Sequence, residues 1–205
     1  MKKTEKIKIP LLLFVICLAV CWIFVLQYGI FGSDLDWVNQ HSVLPDYFRL
    51  RFYDTGQLFP DITWNLGAGQ NIYNFSYYGL FNPIIWISYL LPFVPMSLYI
   101  QITSILSYGV SVVIFYCWLK KKCDDRITLA CTFLFLLAAP LVYHSYNQLM
   151  FVNYMPFLCA AFLGVDKYVE EKKKALLLCG VCGMILTSFF FSIGGLLAVG
   201  IYGAS

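Results

Sequence analysis

Two carboxylates and an imidazole fall in one short polar stretch, GSDLDWVNQH at 32–41: Asp34, Asp36 and His41. A carboxylate within hydrogen-bond reach of a hydroxyl can take its proton as the oxygen attacks carbon, so either aspartate is a candidate general base. The same residues also suit plainer work. Ser33-x-x-Asp36 has the form of a capping box, in which Asp36 closes a helix start and Asp34 favours the positive end of its dipole. On a helix beginning at Asp34, that residue shares a face with Trp37 and His41, whereas Asp36, Asn39 and Gln40 fall on another. Both aspartates then reach one site only if residues 33–36 are not yet helical. A divalent cation held by Asp34, Asp36 and His41 is left open, against the commoner solvated or capping histidine.

Arg49 and Arg51 follow. Each can pair three residues away, with Asp46 and Asp54 respectively, as ordinary helix-surface decoration. Alternatively they meet a phosphate, whose oxygens a guanidinium binds in a bidentate way. NIYNFSYYGLFNP at 71–83 interleaves asparagines with rings. This pattern fits a membrane-interface belt, and equally a sugar site in which rings stack on a pyranose face and amides bond hydroxyls. Asn71, Tyr77 and Tyr78, with Trp37, Gln40 and His41, are the candidate substrate contacts. LGAGQN at 66–71 is a turn rather than a phosphate loop, because no strand precedes it and no lysine follows.

The elements that position these residues follow from composition. Of 205 residues, 60% are hydrophobic and 12% charged, about half the charge a water-soluble domain carries. The chain reads as an all-α integral membrane protein. The eight cysteines include seven within apolar runs and none in the long polar loop, so they read as packing, Cys179-x-x-Cys182 included.

Residues 10–30 form an uncharged run long enough to cross a bilayer after a cytoplasmic tail at 1–9. The apolar stretch 81–119 is too long for one span, and Pro83, Pro92 and Pro95 interrupt its first half. If only 96–119 crosses, both flanking lysine clusters share one side, as the positive-inside rule requires. Residues 83–95 are then a short interfacial or re-entrant segment closing a large first extracytoplasmic loop, 31–95, with short amphipathic helices. Further spans are expected at 127–143, 149–165 and 175–200, five in all. Twelve of the 14 lysines and arginines fall on the N-terminal side, and Arg49 and Arg51 are the two exceptions. The ending GLLAVGIYGAS carries no charged flank, which suggests a piece of a longer protein. Nothing marks a nucleic-acid partner.

Several stretches, GSDLDWVNQHSVLPDYFR, TGQLFPDITWNLGAGQNIYNFSYYGLFNPI, QLMFVNYMPFLCAAFLGVDKYVEEKKK and TSFFFSIGG, resemble the N-terminal part of the YfhO family of bacterial multi-pass membrane proteins. The resemblance covers most of the chain and implies a C-type (GT-C) glycosyltransferase. Such an enzyme uses a polyprenyl-phosphate-linked sugar outside the membrane, with a cell-envelope polymer such as teichoic acid as acceptor. It also implies a catalytic carboxylate in the first external loop, which maps onto Asp34 or Asp36, and family members longer than this chain. Arg49 and Arg51 are then the cations offered to the lipid phosphate. Two other classes stay open: a lipid-linked-precursor transporter or flippase, which ordinarily carries ionisable residues within its spans, and a non-catalytic membrane interaction protein.

Overall fold

The computed structural model describes residues 5–33 and 35–205. The uncharged run after the first lysines forms α1 (Glu5–Tyr28). A π-helical turn, Trp37–His41, leads into α2 (Val43–Thr55), which ends at Gly56 in the left-handed conformation. A two-residue hairpin follows, β1 (Ile62–Thr63) against β2 (Gln70–Asn71), with Ile62 opposite Asn71 and Thr63 opposite Gln70. Its loop holds Gly67, Ala68 and Gly69 at positive φ. After a 3-10 segment, Ile72–Tyr78, comes α3 (Pro83–Ile87), a single short turn. Asn82 caps it by accepting the Ile84 N–H at 2.9 Å, and Pro83 occupies the first helical position, where its missing N–H costs nothing.

The bundle consists of α4 (Met96–Leu119), α5 (Asp125–Leu137), α6 (Ala139–Asn147), α7 (Leu149–Glu171), α8 (Ala175–Thr187) and α9 (Phe189–Ala204), together with α1. Among the described residues, α1 from Lys8, α4 and α7 are long and apolar enough to cross a membrane. The α5–α6 pair is a fourth candidate span, bent by 43° at its break. Pro140 causes that bend: it has no N–H to give the Leu136 carbonyl one turn back. The Tyr108 hydroxyl of α4 donates to this carbonyl instead, at 2.5 Å, so the acceptor that Pro140 leaves free is satisfied inside an apolar bundle.

The segment expected as one span over 175–200 is corrected by the structure. It breaks at Ser188, which is extended, with φ −157° and ψ 105°, and its two halves form a hairpin. α8 runs antiparallel to α7, with Gly180 against the backbone of Ala161 and Gly164 against Leu177. α9 then returns parallel to α7: Phe191 packs on Phe151, Gly195 on Tyr154 and Gly203 near Val165. At 13 and 16 residues the two helices are about 20 and 24 Å long, short of a hydrocarbon core of about 30 Å. Ser188 starts the new helix: its hydroxyl accepts the Phe191 N–H at 3.3 Å as an N-cap.

The bundle therefore has two chemically distinct ends. One carries the lysine clusters, where Lys122 meets Asp166 at 3.0 Å and Lys121 meets Glu170 at 3.1 Å. Tyr202 of α9 also bonds Asp166 there, which returns α9 to the lysine end. The other end carries residues 31–95, whose own core of Trp37, Phe48, Ile72, Leu80 and Ile85 rests on Ile100, Leu149 and Met150 at the ends of α4 and α7.

Candidate functional site

Asp34, one of the two candidate carboxylates, lies outside the described residues. Its neighbour Ser33 takes up half of the expected capping box, its hydroxyl accepting the Asp36 N–H at 3.3 Å. The helix that follows is not the regular one expected from Asp34. Residues Trp37–His41 form a π turn, with the Ser42 N–H on the Trp37 carbonyl at 2.9 Å. A π turn closes on the fifth residue rather than the fourth, so His41 comes under the influence of Asp36 instead of pointing to a different face. The Asp36 charge acts on the His41 imidazole, and the face assignments of a regular helix do not carry over to this turn.

Two contacts dock this turn on the bundle. The Trp37 indole N–H donates to the Asn147 carbonyl at 3.2 Å, and the Gln148 side-chain amide lies 3.5 Å from Asp36 Oδ2. Both acceptors and donors sit at the junction of α6 and α7, where Gln148 is extended between the two helices. Asn147 and Gln148 were passed over in the sequence. The only sign of them was HSYNQ, a polar interruption between two apolar runs.

His41 is 2% exposed, and its Nδ1 has no hydrogen-bond partner. Burial lowers its pKa to about 4, with the Asp36 charge working in the opposite direction. The imidazole is therefore neutral near pH 7, packed between Trp37 and Tyr78 with ring centroids at 6.1 and 6.3 Å. Gln40 is half-buried on the same turn.

The remaining candidates divide between structural work and open surface. The Arg49 side chain is buried: it pairs with Asp46 at 2.6 Å and donates to the Val94 carbonyl at 2.9 Å and more weakly to that of Leu91. It thereby ties α2 to the loop before α4. Arg51 keeps a looser pair with Asp54 at 3.6 Å, and its Nε is buried without a partner. Asn71 caps the 3-10 segment by accepting the Tyr73 N–H at 2.9 Å. Tyr77 stacks edge-on against Phe189 at 5.4 Å, where burial raises the pKa of its phenol, while Tyr78 faces His41. The structure thus brings Asp36, Trp37, His41 and Tyr78 together and leaves Arg49, Arg51 and Asn71 elsewhere. Among the described residues, no three of His, Cys, Asp and Glu are placed to hold a metal ion.

A groove of about 540 Å³ opens beside this cluster, between α1 and the bent α5–α6 pair. Phe24, Tyr28, Val142, Tyr143 and Tyr146 form its walls, and Asn147 its polar end. The same Asn147 receives Trp37, and the next residue reaches Asp36. The mostly apolar groove therefore ends at the residue on which the Trp37 turn docks.

Apolar helices of spanning length, together with a loop domain on one end of their bundle, define a multi-pass membrane protein. The chain belongs to the YfhO family of bacterial membrane proteins, whose family model matches residues 6–202. No curated protein and no solved structure matches it.

Proposed function

We propose that the chain acts as a GT-C-like membrane glycosyltransferase, moving a sugar from a polyprenyl-phosphate donor to an extracytoplasmic cell-envelope polymer such as teichoic acid. The observation that supports this reading is the polar end of the Phe24–Tyr146 groove: Asn147 there accepts the Trp37 indole N–H, and the next residue, Gln148, lies 3.5 Å from Asp36. A polyprenyl chain suits the groove, and its phosphate then lies at the boundary where the loop domain begins. The lysine end is assigned to the cytoplasm by the positive-inside rule, which puts Asp36 outside.

In the proposed step, the acceptor hydroxyl oxygen attacks the anomeric carbon and its proton passes to the Asp36 or Asp34 carboxylate. The bond from that carbon to the phosphate oxygen breaks, and the polyprenyl phosphate departs with the electron pair. Such general-base assistance contributes typically about 10²- to 10⁴-fold. The leaving phosphate needs charge stabilisation rather than a proton. Neutral His41 packs the loop between Trp37 and Tyr78.

The test is sugar transfer from a polyprenyl-phosphate donor to envelope polymer, in membranes carrying the intact chain with Asp34→Asn or Asp36→Asn at equal protein level. Loss with one substitution names the base; unchanged transfer with both removes the proposal. A transporter is the second reading, favoured by the helix breaks at Ala138 and Ser188, because broken helices commonly form substrate sites in transporters. It predicts movement of the lipid-linked sugar across the bilayer with no new glycosidic bond.

A further inference from the structure

The face between α2 and the start of α4 carries a groove separate from the one that ends at Asn147. Its outer part is a cavity of about 420 Å³ lined by Ser42, Asp46, Arg49 and Ser97. Asp46 and Arg49 are the charged residues of that lining. Arg49 is buried and takes Asp46 Oδ1 at 2.6 Å. The Asp46 side chain is 39% exposed, so the carboxylate keeps its second oxygen for a cation in the cavity. The same cavity reaches the start of α4, where Pro95 provides no side-chain cap. The N–H groups of Met96 and Ser97 therefore have no intrahelical acceptor, and they carry the positive end of a 24-residue helix dipole. Ser97 is exposed, which opens its hydroxyl to the same space.

Ser42 and Ser97 also line a second cavity, of about 260 Å³, that continues the first. Ile30, Val38 and Ile100 make it largely apolar, and the half-buried Gln101 adds an amide. Gln101 lies on the same face of α4 as Ser97, one turn or about 6 Å further towards the lysine end. The groove thus runs from a charged mouth at the loop domain to an apolar recess beside a membrane-length helix, which is the polarity profile of a phospholipid. A phosphate alone would meet the Asp46 carboxylate, and an amine alone would meet the positive end of α4. A headgroup with both charges satisfies both: its ammonium bonds Asp46, and its phosphate bonds the Ser97 hydroxyl and the α4 N–H groups. One turn deeper, the Gln101 amide can donate to an acyl ester carbonyl, with the chain packed on Ile30, Val38 and Ile100.

We propose that this groove seats a zwitterionic aminophospholipid, whose ammonium is selected by Asp46 and whose phosphate lies at the start of α4. Trp37 also lines the inner cavity, so the lipid fills the space between α4 and the turn that follows Asp36.

The test is native mass spectrometry of the intact chain, delipidated in detergent and titrated with phosphatidylethanolamine or phosphatidylglycerol of identical acyl chains. Wild type is expected to hold phosphatidylethanolamine about tenfold more tightly, because only that headgroup brings a cation to Asp46. Asp46→Asn keeps an acceptor for Arg49 and removes the charge, so it should bring the two affinities together. Ser97→Phe leaves the Asp46–Arg49 pair intact and sets a ring at the junction of the two cavities. It should weaken both lipids by about tenfold or more, with a wild-type melting temperature in detergent to separate lost binding from lost fold. Equal affinity of wild type for the two lipids overturns the inference. So does a preference that persists in Asp46→Asn, or undiminished phosphatidylethanolamine binding in Ser97→Phe.

Discussion

The Tyr108 hydroxyl sits 2.5 Å from the Leu136 carbonyl, replacing the backbone donor that Pro140 cannot supply. The bend that opens the Phe24–Tyr146 groove is therefore held by a side chain from a different helix. Tyr108→Phe should leave that carbonyl unsatisfied in an apolar interior, at a cost of about 1–3 kcal/mol. Thermal unfolding in detergent reads the loss directly. In a Pro140→Ala background, where the helix can supply its own N–H, Tyr108→Phe should cost less. Equal losses in the two backgrounds would show that the two residues are not coupled.

Arg49 holds Asp46 and the Val94 carbonyl at once. Lysine carries the charge but lacks the planar fork that spans both. Arg49→Lys is expected to destabilise the loop domain by roughly 1–3 kcal/mol, and Arg49→Ala by more, since it also empties the buried space the side chain fills. Hydrogen exchange across residues 43–55 and 91–96 should rise in both variants. Unchanged exchange in Arg49→Ala would mean that this arginine is not the tie between α2 and the loop before α4.

The α7–α8 contact depends on missing side chains. A Cβ on Gly180 would lie 2.8 Å from the Ala161 backbone nitrogen, whereas one on Gly194 meets nothing within 4 Å. Gly180→Ala must force the helices apart and should lower the melting temperature. Gly194→Ala, in a helix with open space around it, should be neutral or stabilising by up to about 1 kcal/mol. Similar melting of the two variants would contradict the close approach of α8 to α7.

His41 gives the fold a pH dependence of defined sign. Its folded pKa of about 4 lies below its ordinary 6.5, so between those values the unfolded chain binds more protons. Stability is full above pH 6.5 and falls as pH drops towards 4, by roughly 3 kcal/mol for this group. His41→Gln should flatten the melting temperature across that window. A slope as steep in His41→Gln as in wild type would assign the effect to other groups.

Much of the helical architecture could be read from the sequence because it depends on local physics. An uncharged run such as 10–30 has to bond its own backbone in lipid, and the lysine clusters at 120–126 and 167–174 mark chain segments that gather at one end of the bundle. Asn82-Pro83 and Gly56 likewise announce a helix start and a helix stop through their own side chains or lack of them. The hairpin at Ser188 could not be read this way. Hydropathy measures the length of an apolar run and not its direction, and 175–187 and 189–204 are apolar alike. Direction was decided by packing: Gly164, Gly180 and Gly195 accept Leu177, Ala161 and Tyr154, and only an antiparallel α8 followed by a returning α9 makes all three fits. The site divides along the same line. Its carboxylate, histidine and rings were visible as residue types in one loop, whereas the partners of Asp36 and Trp37 are 112 and 110 residues away in sequence. The π turn at Trp37–His41 has no local signature, because it arises where Trp37 and His41 must both be buried while the chain enters α2.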